Sequence, residues 1–345
     1  MAKTIEQIAT DLGVSITTVR AVLNGNAQKY RISEKTQEKI NSYVKKHSYT
    51  INLAARSLKL NKTDTFGLVI PRLSNLFFST LAELLEARCR ELGYQLMISC
   101  TNNDAAYENL LVKSLENRNV DGIFVVSTNA ASQAHYLKNC LKPLVFLDRD
   151  FGVEGACCVV TDNVDSGYRL TDAMLKQVHA PIQFFVGDPT SPSIIDRLTG
   201  YRTAMEQHGV EIKPEHISSA GHNQLSDGEK MMADYIETHN TWPQHFIASS
   251  LPILQGALGV LRARYGYIPH EINIGTFDDN IMLNFLANNI WSMRQNEQHL
   301  AQEACQLMLE KIANHDELPG SRAKAELIFR RSTVSARDAI QSVNQ

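Results

Sequence analysis

Side chains suited to gripping a small polar molecule stand where the apolar, β-rich runs of this chain give out. Residues 65–71 lead into Arg72 and Asn75, residues 122–127 into Ser127-Thr128-Asn129, and residues 144–148 into Asp148-Arg149. Later in the chain Asp188, Ser249-Ser250 and Asp278-Asp279 follow similar runs at 182–187, 245–248 and 272–277. Carboxylates, amides and hydroxyls gathered in one cleft suit a polyhydroxylated ligand, and arginines beside them suit a phosphate or a ring oxygen. Asp279 reads instead as a cap for the following helix. A second set of recognition groups lies near the N-terminus: Ile16, Thr17, Thr18, Arg20 and Ala21 fall at the start or on the outer face of a short helix, where side chains meet base edges in a major groove. Catalysis has no comparable signature. The chain contains no GxGxxG, GxSxG or P-loop GK[ST] motif and no evident nucleophile with its base, and its eleven histidines lack metal-ligand spacing. Neither an enzymatic activity nor a cofactor or metal is expected.

The elements that must position these groups are of two kinds. At residues 4–25, Ile5, Ile8, Ala9 and Leu12 recur at helical spacing behind Thr4, a capping residue, and Gly13 ends the helix. Ser15 then caps a second helix carrying Val19, Val22 and Leu23, Ser33 caps a third with Ile40 and Val44, and a short fourth begins near Asn52. Two short helices joined by a glycine-bearing turn make a helix-turn-helix. From residue 65 onward, apolar strands alternate with amphipathic helices, and after about residue 162 the alternation restarts. Two βα sheets in tandem imply two lobes, and ligands of such sheets bind beyond the carboxyl ends of the strands.

Charge separates the two parts. Residues 1–63 carry eleven Lys or Arg against four Asp or Glu, a net of +7, while the remainder nets −10. A basic head on an acidic body points to phosphate, because each neutralised phosphate releases counterions.

At these residues the chain resembles the lactose repressor (LacI/GalR) family of bacterial transcription regulators. The signature falls at Ile8-Ala9, Gly13-Val14-Ser15, Thr18-Val19 and Asn24, and the resemblance extends over essentially the whole chain. It implies a small all-α helix-turn-helix domain followed by an α/β two-lobed, periplasmic-binding-protein-like (type I) core. The expected boundaries are 1–50 for the headpiece, 51–63 for a hinge helix and linker, and 64–345 for the core, with lobe 1 at about 64–162 and 292–325 and lobe 2 at about 163–291 and 326–345. The resemblance further implies that paired hinge helices insert Leu58 into a minor-groove step, flanked by Ala55 and Lys59, with Asn52 at the hinge start. Thr4, Ser15, Ser33 and the inserted Tyr30 and Arg31 join the expected DNA contacts. In the core it implies Asp148, Arg197 of the RLTGY motif, Asp278 and Gln295 as effector contacts, with Asn75, Phe77, Arg149 and Ser249 completing the set.

The longer segment NGNAQKYRISEKT, with Lys29, Tyr30 and Arg31, together with VVSTN, LDRD and ILQG, is similar to the branch holding the fructose and sucrose repressors. The expectation is a repressor of sugar genes acting on a pseudo-palindromic operator and released by fructose or a fructose phosphate. The same family with another effector or a co-repressor mode is the alternative. A cytosolic sugar-binding protein without DNA function is more remote. The six cysteines read as buried free thiols, no apolar run is long enough for a membrane span, and a cytoplasmic homodimer is expected. No leucine heptad closes the chain, although other tetramer contacts stay open.

Overall fold

Ile8, Val19 and Ile40, all fully buried, are the residues around which the N-terminal helices close. They come one each from α1 (Ile5–Leu12), α2 (Ile16–Leu23) and α3 (Glu34–Lys46), with Ala9, Leu12, Val22 and Ala27 filling the space between them. The starts of all three helices are written in the sequence. Thr4 and Gln7 form a reciprocal capping box, and the hydroxyls of Ser15 and Ser33 accept from the Thr18 and Thr36 backbone N–H groups at 3.0 and 3.4 Å. A cap of this kind contributes about 1 kcal/mol, which matters in helices of two turns. Gly13, at φ 65°, ends α1 in the left-handed conformation that a side chain would oppose. Lys39 Nζ donates to the Leu12 carbonyl at 2.8 Å, fixing α3 across the end of α1.

The computed structural model describes residues 4–23, 25–47, 49, 62–314 and 318–332. Asn24, Asn52, Ala55, Leu58 and Lys59, and with them nearly all of the expected hinge, lie outside the described residues. Residues 1–63 and 64–345 form separate units.

The second unit is built twice over on one plan. Its first sheet takes β1 (Thr65–Ile70), β2 (Gln95–Cys100), β3 (Gly122–Val125), β4 (Leu144–Leu147), β5 (Cys158–Thr161) and β11 (Ser321–Ala323) in the order β11-β5-β4-β3-β1-β2, all parallel. The second takes β6 (Gln183–Val186), β7 (Ile217–Ser219), β8 (His245–Ala248), β9 (Asn273–Phe277), β10 (Asn289–Arg294) and β12 (Glu326–Arg330) in the order β12-β10-β9-β8-β6-β7. Here β12 runs antiparallel to β10 at the edge of the sheet. Helices α4 (Leu76–Glu91), α5 (Ala105–Asn117), α6 (Ala130–Asn139) and α11 (Glu297–Asn314) serve the first sheet. Helices α7 (Asn163–Val178), α8 (Pro192–Gln207), α9 (Leu225–His239) and α10 (Leu251–Tyr265) serve the second.

Three features depart from the sequence pattern. β2, whose run QLMISC is apolar enough for a buried strand, is an edge, with Met97 and Ile98 exposed. β10 lies whole in the second sheet, so the chain returns to the first lobe after Arg294 rather than at Ser292. The third is α6, unforeseen because its run AASQAHYLKN buries only Gln133 and Tyr136 and so shows little apolar periodicity.

Helices α7 and α8 of the second lobe meet backbone to backbone. A Cβ on Gly167 of α7 would fall 2.2 Å from the Arg197 carbonyl oxygen, and one on Gly200 of α8 would fall 2.2 Å from the Val164 carbonyl oxygen. No side chain fits either place, and the contact sets where α8 carries Arg197. Tyr201, fully buried, anchors the same turn by donating to the Ile182 carbonyl at 2.7 Å.

Candidate functional site

In both sheets the strand order reverses between the first and third strands of the lobe, at β1/β3 and at β6/β8. A crevice opens at such a switch point, beyond the carboxyl ends of the strands. The two crevices face each other across one cleft, lined by Asn75, Phe77, Phe78, Asp148 and Arg149 from the first lobe. The second lobe contributes Ser191, Ser193, Ile194, Arg197, Asn223, Ser250 and Asp278, and Gln295 follows β10.

Asp148 and Asp278 are counterparts, each the residue directly after a strand (β4 and β9) and each at φ 62°. Aspartate tolerates this left-handed backbone better than most residues, and it turns the carboxylate out of the sheet end. Their surroundings differ. Asp278 Oδ1 accepts from Gln295 Nε2 at 2.6 Å. Among the described residues the Asp148 carboxylate accepts no hydrogen bond, and its ion-pair partner, Arg149 Nε, stands 3.9 Å away. Burial pushes the Asp148 carboxyl above the usual carboxylate range; Arg149 and Arg197 pull it down, and Asp278 pushes it further up. A buried carboxylate with open acceptor positions suits two ligand hydroxyls.

The two arginines are held from behind. Arg149 donates through Nη1 to the Ser127 carbonyl at 3.2 Å and through Nη2 to Asn103 Oδ1 at 3.1 Å, and its buried Nε has no hydrogen-bond partner among the described residues. Arg197 donates through Nε to Asn163 Oδ1 and through Nη1 to the Ser249 carbonyl, both at 2.8 Å, with its guanidinium 4.6 Å from the centre of the Phe277 ring. Three helices start at the cleft: α4 at Asn75, α8 at Ser191 and α10 at Ser250. Asn75 caps its own helix, but Ser191 and Ser250 make no side-chain cap, leaving first-turn N–H groups and hydroxyls together at one wall. Positive helix ends, hydroxyls and guanidinium groups suit an anion, and the carboxylates opposite suit hydroxyls.

Seven of the eight effector residues expected from sequence line this cleft: Asn75, Phe77, Asp148, Arg149, Arg197, Asp278 and Gln295. Ser249 does not. It is fully buried behind the wall, its hydroxyl accepting from Gly187 N–H at 2.8 Å, and its neighbour Ser250 takes the cleft position. Phe78, Ser191, Ser193, Ile194 and Asn223 were not among the expected contacts, and Ser250 was expected only as part of the Ser249-Ser250 strand end. Asn223 and Ser250 are joined at 2.7 Å. A signal for Ser191 and Ser250 was present, since each is a serine followed within two residues by proline, a helix-start pattern at a strand end. Asp279 does not cap a helix: it accepts from Ser292 at 2.6 Å and pairs with Arg330 at 2.8 Å, while Asn280 caps the following turn. Asp188 closes its own turn onto Thr190.

In the headpiece, Thr4, Ser15, Ile16, Thr17, Tyr30, Arg31 and Ser33 are exposed. Thr18 is half-buried, and Arg20 stands 3.8 Å from Glu6 of α1. Arg31 adopts φ 51° at the end of the inserted segment. Ala21 departs from expectation. It is buried, its carbonyl accepting the Asn26 N–H at 2.8 Å where the chain folds back after α2, so its methyl does not present itself to a base edge. Among the described residues no His, Cys, Asp and Glu cluster has the makings of a metal site, and no helix is long and apolar enough to cross a membrane.

Residues 4–52 match the family described as bacterial regulatory proteins, lacI family, and residues 66–316 match the periplasmic binding protein domain. The fructose operon regulatory protein of Vibrio cholerae is 32% identical over 312 residues, covering 90% of this chain and 94% of the relative. The chain belongs to the lacI family. Other relatives are the catabolite repressor/activator of Escherichia coli, 30% identical over 96% of this chain and 99% of its own, and the sucrose operon repressor of Klebsiella pneumoniae, 30% identical over 90% and 92%. Among solved structures, the lac repressor dimer bound to operator and an anti-inducer superposes with TM-score 0.82 at 18% identity, covering 97% of this chain and all of its own. The Cra regulator of Pseudomonas putida in complex with fructose 1-phosphate superposes with TM-score 0.70 at 24% identity, covering 79% of this chain and all of its own. The family assignment makes the chain a DNA-binding regulator of transcription rather than an enzyme, and both structures share its fold.

Proposed function

We propose that this chain is a cytoplasmic repressor of fructose- or sucrose-type utilisation genes. It grips a pseudo-palindromic operator as a homodimer and is released when a fructose phosphate fills the cleft. The observation that carries the effector reading is the division of the cleft wall. Asp148, which accepts no hydrogen bond from the described residues, lines the cleft, while Ser191, Ser193, Arg197 and two helix starts without side-chain caps offer donors to an anion. Phe77 and Phe78 add apolar faces for the carbons of a sugar ring. The relatives that regulate fructose and sucrose operons, and a fold neighbour that holds fructose 1-phosphate, support the same choice.

Dimerisation is supported by apolar side chains left in water. Ile281, Met282 and Phe285 of the second lobe are 71%, 62% and 75% exposed, and Leu73, Leu76, Met97 and Ile98 of the first are also exposed. Exposed apolar side chains that gather in one patch mark contact surfaces. Two headpieces presenting exposed α2 starts to successive major grooves suit a two-fold operator, and the basic charge of residues 1–63 suits its phosphates. Repression follows if effector prefers the arrangement that does not fit DNA, since a ligand binding both states equally shifts nothing.

Calorimetric titration of the full chain with fructose, fructose 1-phosphate, fructose 6-phosphate and sucrose tests the effector reading. A phosphorylated fructose should bind about tenfold or more tighter than fructose, as charge-assisted contacts require. Absence of binding by every one of the four would reject it.

A further inference from the structure

Arg197 and Asp278 both face the cleft, and both are tied through buried side chains to the segments that cross between the lobes. The chain leaves the first lobe at Thr161, the end of β5, and enters α7 at Asn163; it returns at Gln295, directly after β10. Thr161 Oγ1 donates to Gln295 Oε1 at 2.5 Å, and Gln295 Nε2 donates to Asp278 Oδ1 at 2.6 Å. On the other side, Asn163 Nδ2 donates to the Thr161 carbonyl at 3.1 Å, and Asn163 Oδ1 accepts from Arg197 Nε at 2.8 Å. Arg197 Nη1 then reaches the Ser249 carbonyl, and the Ser249 hydroxyl accepts from Gly187. Thr161 and Asn163 are 3% and 2% exposed, and neither lines the cleft.

We propose that Thr161 and Asn163 are positioning residues that bind the two ligand-facing groups, Asp278 and Arg197, to two of the three crossings between the lobes, so that ligand contact and lobe movement become one event. The direction of every bond in this chain is fixed by chemistry. A carboxylate only accepts, so Gln295 must turn its NH₂ toward Asp278 and its carbonyl oxygen toward Thr161, which in turn must donate. Rotation of one lobe against the other moves Thr161 and Gln295 relative to each other and breaks this order unless the cleft groups move too. A ligand hydroxyl that competes for Asp278, or an anion that draws on Arg197, acts on the same bonds from the other end. Leaving any one of these buried groups unpaired is costly, and this makes the network two-state rather than gradual.

The experiment uses the full chain in three forms: wild type, Thr161→Val, which removes the hydroxyl at nearly constant shape, and Thr161→Ser, which restores it. Hydrogen exchange followed by mass spectrometry on the free proteins needs no effector. Thr161→Val should speed exchange in peptides spanning residues 289–297 about tenfold or more, although the Gln295 partner lies 134 residues away in sequence. Thr161→Ser should stay at the wild-type rate. Unchanged exchange at 289–297 in Thr161→Val would overturn the proposal.

The second readout rests on the effector reading above. The factor by which fructose 1-phosphate weakens operator binding should fall about tenfold in Thr161→Val, while its own affinity changes by less than about threefold. An unchanged factor, or an equal loss in Thr161→Ser, would also overturn it. If fructose 1-phosphate fails to release the wild type, the effector reading fails, and the exchange result alone decides between the outcomes. Should Thr161→Val not fold, Asn163→Asp replaces it: this variant keeps the acceptor for Arg197 and loses the donor to the Thr161 carbonyl, and it should show the same faster exchange at 289–297.

Discussion

Replacing Asp148 by Asn separates binding from stability in a way that few cleft substitutions would. In the free chain this carboxylate is buried, accepts no hydrogen bond from the described residues, and has Arg149 at 3.9 Å and Asp278 as a like charge. Arg149 keeps its bonds to the Ser127 carbonyl and Asn103 when the charge is removed. The neutral isostere therefore relieves a buried charge without orphaning its neighbour, and thermal stability at neutral pH should rise by about 1 kcal/mol, roughly 2 °C for a chain of this size. A carboxyl raised by burial contributes stability below its unfolded pKa, and that contribution is lost as pH rises through the folded value. The stability advantage of Asp148→Asn should accordingly shrink as pH falls through the raised range toward the ordinary carboxylate value. Effector binding should move the opposite way. A hydrogen bond to a charged group contributes about 1.5–3 kcal/mol, so the variant should bind its sugar effector roughly 10- to 150-fold more weakly. Differential scanning fluorimetry across pH and calorimetry with fructose 1-phosphate measure the two effects. A variant that melts several degrees lower with unchanged effector affinity would refute the reasoning and make Asp148 a structural residue.

Gly200→Ala forces a methyl into the Val164 carbonyl and should cost about 1–3 kcal/mol in thermal or urea unfolding while weakening effector binding through Arg197; a neutral effect would deny the close helix contact. Phe285→Glu places a charge on the exposed apolar patch and should weaken self-association by at least about 2 kcal/mol in sedimentation equilibrium with little change in melting temperature; an unchanged dimer would move the interface elsewhere. Arg20→Ala should alter which bases are preferred in an operator mutant panel and shift the salt slope of binding by less than about one, because a base-edge contact carries specificity rather than counterion release. The reverse pattern would place Arg20 on a phosphate.

The headpiece was legible because its determinants are local: caps at Thr4, Ser15 and Ser33 and a helical apolar period define three helices before any tertiary contact is known. Asp148 and Asp278 were legible for a related reason, since polar residues directly after apolar strands mark the strand ends. What the sequence hid depends on packing. Ser249 and Ser250 are adjacent, and only the direction of the chain into α10 decides that the second faces the cleft and the first faces Gly187. Asn223 lies in a loop with no periodicity, and α6 buries too few residues to announce itself. Ala21 sits at an outward position on a helical wheel, yet the chain folds back where it would have been exposed. The links from Thr161 and Asn163 to the cleft join residues far apart in sequence, and no spacing rule connects them.

The most direct test of the repressor account is fluorescence anisotropy of a labelled pseudo-palindromic fragment from the gene's own upstream region, titrated with the full chain at fixed salt with and without fructose 1-phosphate. The account predicts a Kd of about 10⁻⁸ M or tighter, at least tenfold weaker when the sugar phosphate is present. Tight binding that no fructose species relieves, or that fructose 1-phosphate strengthens, would contradict the proposed mode of control.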